Sequence, residues 1–185
     1  MRERDERLCE QSRWDFSDLS AIYINCTLKR SPEVSNTRGL ADHSIAIMEK
    51  LGVSVEVVRA IDHEIATGVW PDMTEYGWER DEWPAIYERV MAADILILLT
   101  PIWLGEKSSV CTRVIERLYG NSHLLNENGQ WSYYGRVGGC IVTGNEDGIP
   151  PASFTMRARC SRFQVINVVL RAVKSFSGPP EPASR

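Results

Sequence analysis

Hydroxyl, amide and cationic side chains follow the first apolar run of the chain, a combination that suits a phosphate group. The segment 27–37 reads TLKRSPEVSNT and leads directly into a helical pattern. The N–H groups of a helix N-terminus, its dipole and small hydroxyl donors together bind phosphate. The alternative is an ordinary N-capping loop with solvated Lys29 and Arg30, because Ser, Asn and Thr caps are common. The segment alone does not decide between the two.

Two later segments have the character of ligand-contacting loops. Residues 100–105, TPIWLG, follow an apolar run and carry the large side chains of Trp103 and Leu104. Such a loop at the ligand end of a sheet suits a flat aromatic ligand; alternatively, Trp103 packs beneath a long aromatic loop. Residues 143–148, TGNEDG, are small and polar and could hydrogen-bond the edge of a ring. Alone, this second segment is only a turn.

Alternating strand and helix patterns must position these segments. Short apolar runs predict strands at Ala21–Cys26, Val53–Val58, Ile95–Leu99 and Val137–Val142. Helical spacing predicts helices over Thr37–Lys50, from Trp83 onwards and over Val110–Leu118, and residues 61–83 form a long aromatic loop. This order indicates a parallel sheet with helices on both faces. In such sheets ligands bind beyond the carboxyl ends of the strands, where all three segments lie.

Composition narrows the class of protein. The 185 residues are 43% apolar and 25% charged, as expected for one domain. No apolar run approaches the ~20 residues of a membrane span, and the start, MRERDERLCE, has no apolar signal region. Five widely spaced cysteines without a CxxC pattern predict reduced thiols and not a disulfide framework or zinc site. We therefore expect a cytoplasmic protein without a membrane or nucleic-acid partner.

The charge is divided unevenly along the chain. Residues 1–149 contain 15 basic and 24 acidic residues, a net charge of −9. Residues 150–185 contain 6 basic residues and 1 acidic residue, a net charge of +5. The predicted organisation is a charged arm over 1–19, a body over 20–149 and a basic, proline-containing segment over 150–185. That last segment lacks the interleaved aromatics of a nucleic-acid site.

The three loops, in this order, resemble those of the flavodoxin-like NAD(P)H-dependent FMN reductases. The residues that carry the resemblance are TLKRSPEVSNT, TPIWLG after ILILL, and TGNEDG after GGCIV, within residues 21–148. The resemblance implies an α/β flavodoxin-like three-layer sandwich whose parallel sheet has the order 2-1-3-4-5. It also implies the cofactors FMN and NAD(P)H, with the flavin carrying the hydride chemistry and no catalytic side chain required.

The resemblance also implies the cofactor-binding residues. Phosphate contacts are expected from Thr27, Lys29, Ser35, Asn36 and Thr37. Ring contacts are expected from Pro101, Ile102, Trp103, Leu104, Gly105, Thr143, Gly144, Asn145, Glu146, Asp147 and Gly148. The expected reaction transfers hydride from NAD(P)H through FMN to a quinone or similar small acceptor, and the expected assembly is a homodimer or homotetramer.

Two other functions fit the same residues. An electron carrier without nicotinamide turnover would use the acidic body as a docking face. A truncated, non-functional member would explain why Pro150-Pro151 interrupts the pattern after the third loop. Residues 165–170 could supply a fifth strand, but the prolines of 177–182 cannot continue a final helix. A frame shift near residue 149 would produce this break.

Several other residues that could do chemistry are given structural roles instead. Cys26 is expected to be a small buried side chain, although a thiol at a helix N-terminus can be activated. The three histidines, His43, His63 and His123, lack ligand spacing, so no metal site is predicted. The tryptophans of the long loop are expected to pin that loop, the alternatives being a lid over the ligand or a dimer contact.

Overall fold

Strands and helices alternate along the chain, as the sequence predicts. The structure is a computed structural model that describes residues 3–144 and 164–165. Its helices are α1 (Glu3–Glu10), α2 (Asn36–Lys50), α3 (Trp83–Ala92) and α4 (Ser109–Gly120). Its strands are β1 (Ser20–Asn25), β2 (Ser54–Arg59), β3 (Ile95–Trp103), β4 (Glu106–Lys107), β5 (Val137–Thr143) and β6 (Gln164–Val165).

The sheet has the predicted order. Among the described residues it runs β2-β1-β3-β5-β6 with every neighbouring pair parallel, while the short β4 pairs antiparallel with the end of β3. Leaving β4 aside, this is the order 2-1-3-4-5, and the flavodoxin-like fold is confirmed. The fifth strand is formed by Gln164 and Val165 beside Val137 and Gly138. The predicted absence of a final helix and the predicted boundary at residue 149 both concern residues outside those described.

Alternating side chains of the central strands build two cores, one on each face. Ile22, Ile24, Leu96 and Leu98 belong to the core on one face, and Ala21, Tyr23, Ile97 and Leu99 to the core on the other. Helices α3 and α4 cover the first face, and α2 covers the second. Because both faces are covered, the central strands are apolar throughout, which explains the continuous run in β3.

Two elements differ from the sequence prediction. The arm 1–19 contains the helix α1, none of whose residues is buried. Because the helix has no buried face, its sequence has no apolar stripe from which a helix could be predicted. Its acidic first turn complements the helix dipole, and Glu3 pairs with Arg7 one turn later. The strand β3 continues four residues beyond Leu99 to pair with β4. A two-residue strand is too short to leave a periodic pattern.

A buried ion pair organises the long loop between β2 and α3. Asp81 Oδ2 lies 2.5 Å from Arg117 Nη2, and both side chains are fully buried. The same carboxylate accepts the N–H groups of Ala66, Met73 and Trp83 at 3.0–3.2 Å. One side chain therefore ties three separated points of the loop to helix α4.

The aromatic residues of this loop divide between core and surface. Trp83 is fully buried and its indole N–H donates to Asn121 Oδ1 at 2.9 Å. Trp70 stacks on Tyr76 with centroids 5.1 Å apart, yet Trp70 and Trp78 are each 46% exposed. The predicted pinning role therefore fits Trp83, while Trp70 and Trp78 remain on the surface.

We predict that Asp81→Asn destabilises the fold by about 3–5 kcal/mol, because it leaves the buried Arg117 charge without its counterion. The matched control is Glu56→Gln, which removes the exposed pair with Arg89 and should change stability by less than about 1 kcal/mol. Urea unfolding of both variants measures the difference. Equal losses in the two variants would contradict the anchoring role of Asp81.

Candidate functional site

The carboxyl ends of β1, β3 and β5 meet at one edge of the sheet. In the parallel register, Asn25 lies beside Leu99 and Leu99 beside Ile141, and Pro101 pairs with Thr143. The three segments that the sequence singled out therefore start side by side, as expected for ligand loops of an open parallel sheet.

The hydroxyl of Ser108 joins two of these strand ends to a helix. It donates to the carbonyl oxygen of Cys26 at 2.7 Å and accepts the N–H of Cys111 at 3.1 Å as the N-cap of α4. The Ser108 N–H donates to Thr100 Oγ1 at 3.1 Å. Ser108 and Thr100 are both buried, so the junction is shielded from water. Neither role is predicted from the sequence, although a Ser directly before a helical pattern is a common N-cap.

The first loop is closed by a buried amide. Asn25 Oδ1 accepts the N–H of Thr27 at 3.1 Å, and Asn25 Nδ2 donates to Ser35 Oγ at 3.4 Å. Ser35 Oγ in turn accepts the N–H of Arg38 at 3.2 Å and caps α2. Asn25, which was not predicted, thus holds the two ends of the loop together. The one sequence feature that indicates this role is the position of Asn25, a polar residue at the end of an apolar strand.

Three of the residues expected at a phosphate stand at the start of α2, and the other two lie in the loop that precedes it. Thr27, Ser35 and Thr37 are buried, whereas Lys29 and Asn36 are exposed. The N–H groups of Asn36 and Thr37 belong to the first turn of the helix, where N–H groups lack intrahelical acceptors. Buried hydroxyls, first-turn amides and a nearby cation fit a phosphate dianion.

A contact between two hydroxyls joins the first loop to the third. Thr37 Oγ1 lies 2.8 Å from Thr143 Oγ1 at the end of β5. Beyond it, Gly144 packs against β3, and a Cβ there would lie 2.2 Å from Ile102 Cγ2. Only glycine therefore fits this approach. The other predicted members of this loop, Asn145, Glu146, Asp147 and Gly148, lie outside the described residues.

The second loop presents an apolar turn at the same edge. Trp103 is 44% and Leu104 91% exposed, so both side chains present apolar surface to solvent. Leu104 and Gly105 have positive φ values of 52° and 76°, as in the tightest two-residue hairpin turns. A leucine in this region is uncommon and strained. By contrast, the side chain of Ile102 is buried in the core.

The thiol nearest the first loop is poorly suited to nucleophilic chemistry. Cys26 is fully buried, and desolvation raises its pKa well above the ordinary value, with the neighbouring Cys111 acting in the same direction. The protonated thiol is a weak nucleophile. This agrees with the expectation of a small buried side chain.

Neither a metal cluster nor a membrane span is found in the described part of the chain. Residues 3–144 and 164–165 contain no group of three or more His, Cys, Asp or Glu arranged to hold a metal ion. No helix among the described residues is long and apolar enough to cross a membrane.

Comparison with known proteins identifies relatives of this arrangement. The model of the family described as NADPH-dependent FMN reductase matches residues 21–175, beyond the 21–148 that carry the resemblance in the sequence. The 8-demethyl-8-aminoriboflavin-5'-phosphate synthase of Streptomyces davaonensis is 38% identical over 171 residues, 90% of this chain and 62% of that protein. The crystal structure of RosB with bound 8-demethyl-8-formylriboflavin-5'-phosphate superimposes with a TM-score of 0.72 at 36% identity, covering 80% of this chain and 61% of that one.

This chain matches a smaller share of the length of a second curated relative. The divalent metal cation transporter MntH of Mycobacterium bovis is 64% identical over 134 residues, which is 72% of this chain and 20% of that protein. This chain therefore spans one fifth and about three fifths of the lengths of the two curated relatives.

We predict that Cys26 does not react with an aromatic disulfide reagent in the folded protein at pH 8. Because burial raises its pKa, the thiol stays protonated where an exposed thiol ionises. Cys26→Ala and the unchanged protein should release equal thiol equivalents when native, and the variant one fewer when denatured. A native difference of one equivalent would contradict the prediction.

The same raised pKa has a consequence for stability. The raised pKa of Cys26 contributes fully to the free energy of unfolding at pH values below the pKa of this thiol in the unfolded chain. That contribution is lost as pH rises from there toward the pKa of the thiol in the folded protein. The free energy of unfolding should therefore fall less steeply above pH 9 in Cys26→Ala, as measured by urea unfolding.

Proposed function

The chain belongs to the NADPH-dependent FMN reductase family, and from that premise we propose that it takes hydride from NAD(P)H and delivers the electrons to a quinone or similar small acceptor. FMN and NAD(P)H are the cofactors of this family, as the sequence predicts. The observation that carries the proposal is the juxtaposition of buried hydroxyls at the start of α2 with an exposed apolar turn at the same sheet edge. One part suits the phosphate of FMN and the other its flat ring.

The start of α2 would hold the phosphate. The first-turn N–H groups of Asn36 and Thr37, with the hydroxyl of the buried Thr27, supply hydrogen-bond donors. Lys29 adds a positive charge at the rim, where its ammonium group donates to the carbonyl of Val34 at 3.2 Å. The dipole of the 15-residue helix favours the same negative charge.

The turn after β3 would contact the ring. Trp103 and Leu104 offer apolar surface beside the polar end of β5, so one side of a flat ligand could rest on apolar atoms while its edge meets Thr143. Bound flavin supplies the hydride chemistry, so the protein's tasks are binding, orientation and exclusion of water. The protonated Cys26 is not needed in these tasks.

A second candidate function follows from the Streptomyces relative. That protein is named as a synthase of a modified riboflavin phosphate, and the similar RosB structure contains a bound formylated riboflavin phosphate. The same edge could therefore take a flavin phosphate as a substrate and not as a resident cofactor. The two functions share the phosphate site and differ in whether the flavin leaves chemically changed.

We predict that Lys29→Gln weakens FMN binding about tenfold or more, because a charge-assisted contact to phosphate is lost. Affinity for riboflavin, which lacks the phosphate, should be unchanged. The matched control is Lys50→Gln, which removes a cation from the C-terminal end of α2, the end opposite the proposed phosphate site, and should not affect either ligand. Quenching of flavin fluorescence measures both affinities. If the unchanged protein does not bind FMN, the proposed function is wrong.

The reaction itself is tested by anaerobic mixing of the FMN-loaded protein with NADPH or NADH. We expect rapid loss of the oxidised-flavin absorbance and its return when a quinone is added. Reduction only by a separate reductase would indicate an electron carrier instead. Release of a flavin with a changed mass would indicate the synthase-like function.

A further inference from the structure

Residues 59–62, at the end of the edge strand β2, contact the first loop although they belong to none of the predicted flavin loops. Arg59 ends β2, and Asp62 closes a short 3-10 helix over Ala60–Asp62. Both side chains reach the exposed stretch 28–34 between Thr27 and the N-cap Ser35.

Arg59 holds two points of that stretch through their backbone carbonyls. Its Nη1 donates to the carbonyl of Glu33 at 2.9 Å and to that of Lys29 at 3.4 Å. These two residues lie on opposite sides of the tip of the loop. A single guanidinium therefore fixes the separation between its two limbs.

Asp62 holds the tip itself. Its Oδ1 accepts the N–H of Ser31 at 2.9 Å and its Oδ2 accepts the Ser31 hydroxyl at 2.5 Å. The bond from the Ser31 hydroxyl lowers the pKa of Asp62, and the charges of Arg59 and His63 also lower it. The carboxylate is thus ionised at neutral pH and able to accept both bonds.

These contacts are exposed, so they contribute little to the stability of the fold. Their effect is on the loop, because few other bonds restrain residues 28–34. Within that stretch, the Glu33 N–H donates to the carbonyl of Arg30, and Lys29 contacts Thr27 and Val34. Every one of these other contacts lies within the first loop, whereas Arg59 and Asp62 connect it to the sheet.

We propose that Arg59 and Asp62 are positioning residues that clamp residues 28–34 beside the phosphate of FMN and thereby set the preference for FMN over riboflavin. This rests on the proposed function, since it assumes that the first loop holds a flavin phosphate. The clamp places the Lys29 main chain, and with it the ammonium group, at the rim of the site. A ligand without phosphate would gain nothing from that placement.

The test compares Arg59→Met and Asp62→Ala with Arg89→Met, a control that removes an exposed contact to Glu56 on the same edge strand. Dissociation constants for FMN and riboflavin are measured by fluorescence quenching. The two clamp variants should bind FMN about tenfold more weakly, the loss expected for one charge-assisted contact. Their affinity for riboflavin should change less than about twofold, and Arg89→Met should change neither.

Amide hydrogen exchange of the ligand-free variants provides a readout without flavin. Peptides covering residues 28–34 should exchange faster in both clamp variants, and peptides from β3 should not change. If the unchanged protein binds FMN but the clamp variants keep its full preference, the clamp is wrong while the proposed function stands. Equal weakening of FMN and riboflavin also overturns it. If the unchanged protein binds no FMN, the proposed function fails, and the phosphate-positioning role fails with it.

Discussion

The hydroxyl of Ser108 lies where β1, β3 and α4 meet, and the placement of the candidate site depends on it. Its bond to the carbonyl of Cys26 fixes the end of β1, where the first loop begins, and its bond to the Cys111 N–H starts helix α4. Because Thr100 accepts the Ser108 N–H, the end of β3 is held in the same junction. Buried polar groups without partners are costly, so these mutually satisfied groups favour one arrangement of the strand ends over others.

Helix α4 also restrains the long loop between β2 and α3. Arg117, in its last turn, pairs with Asp81 and also donates to the carbonyl of Pro71 at 3.0 Å. Burial lowers the pKa of Arg117 while the Asp81 charge opposes that shift, and its Nε and Nη1 are buried without hydrogen-bond partners in the described structure. Such a pair stabilises less than its short distance suggests, because desolvation offsets the attraction. Its clearer consequence is specificity, since one carboxylate with several donors defines a single path for a loop that has no regular core of its own.

The parallel sheet was predictable because its strands and helices leave local patterns, whereas the order of its strands was implied by the family resemblance. Apolar runs mark β1 and β3, and Gly52 and Gly120 follow or end the helical patterns of α2 and α4. What the sequence did not reveal are contacts between distant residues: Asp81 with Arg117, Thr37 with Thr143, and Ser31 with Asp62. None of these has a spacing signature, since each depends on which loops the sheet brings together. The side chain of Ile102 illustrates the limit, because its segment was correctly placed while its burial in the core was not foreseen.

Burial and exposure divide the candidate site into two physically different parts. Asn25, Thr27, Ser35 and Thr37 are buried, so their bonds both support the fold and prearrange donors for an anion. The hydrogen bonds of Arg59 and Asp62 are exposed, and exposed bonds of this kind contribute little to folding. A restraint that adds little stability can still matter for binding, because a loop that is already ordered loses less entropy when a ligand arrives. The proposed site can therefore tune its preference for a phosphorylated ligand at its rim without altering the buried hydroxyls on which the fold depends.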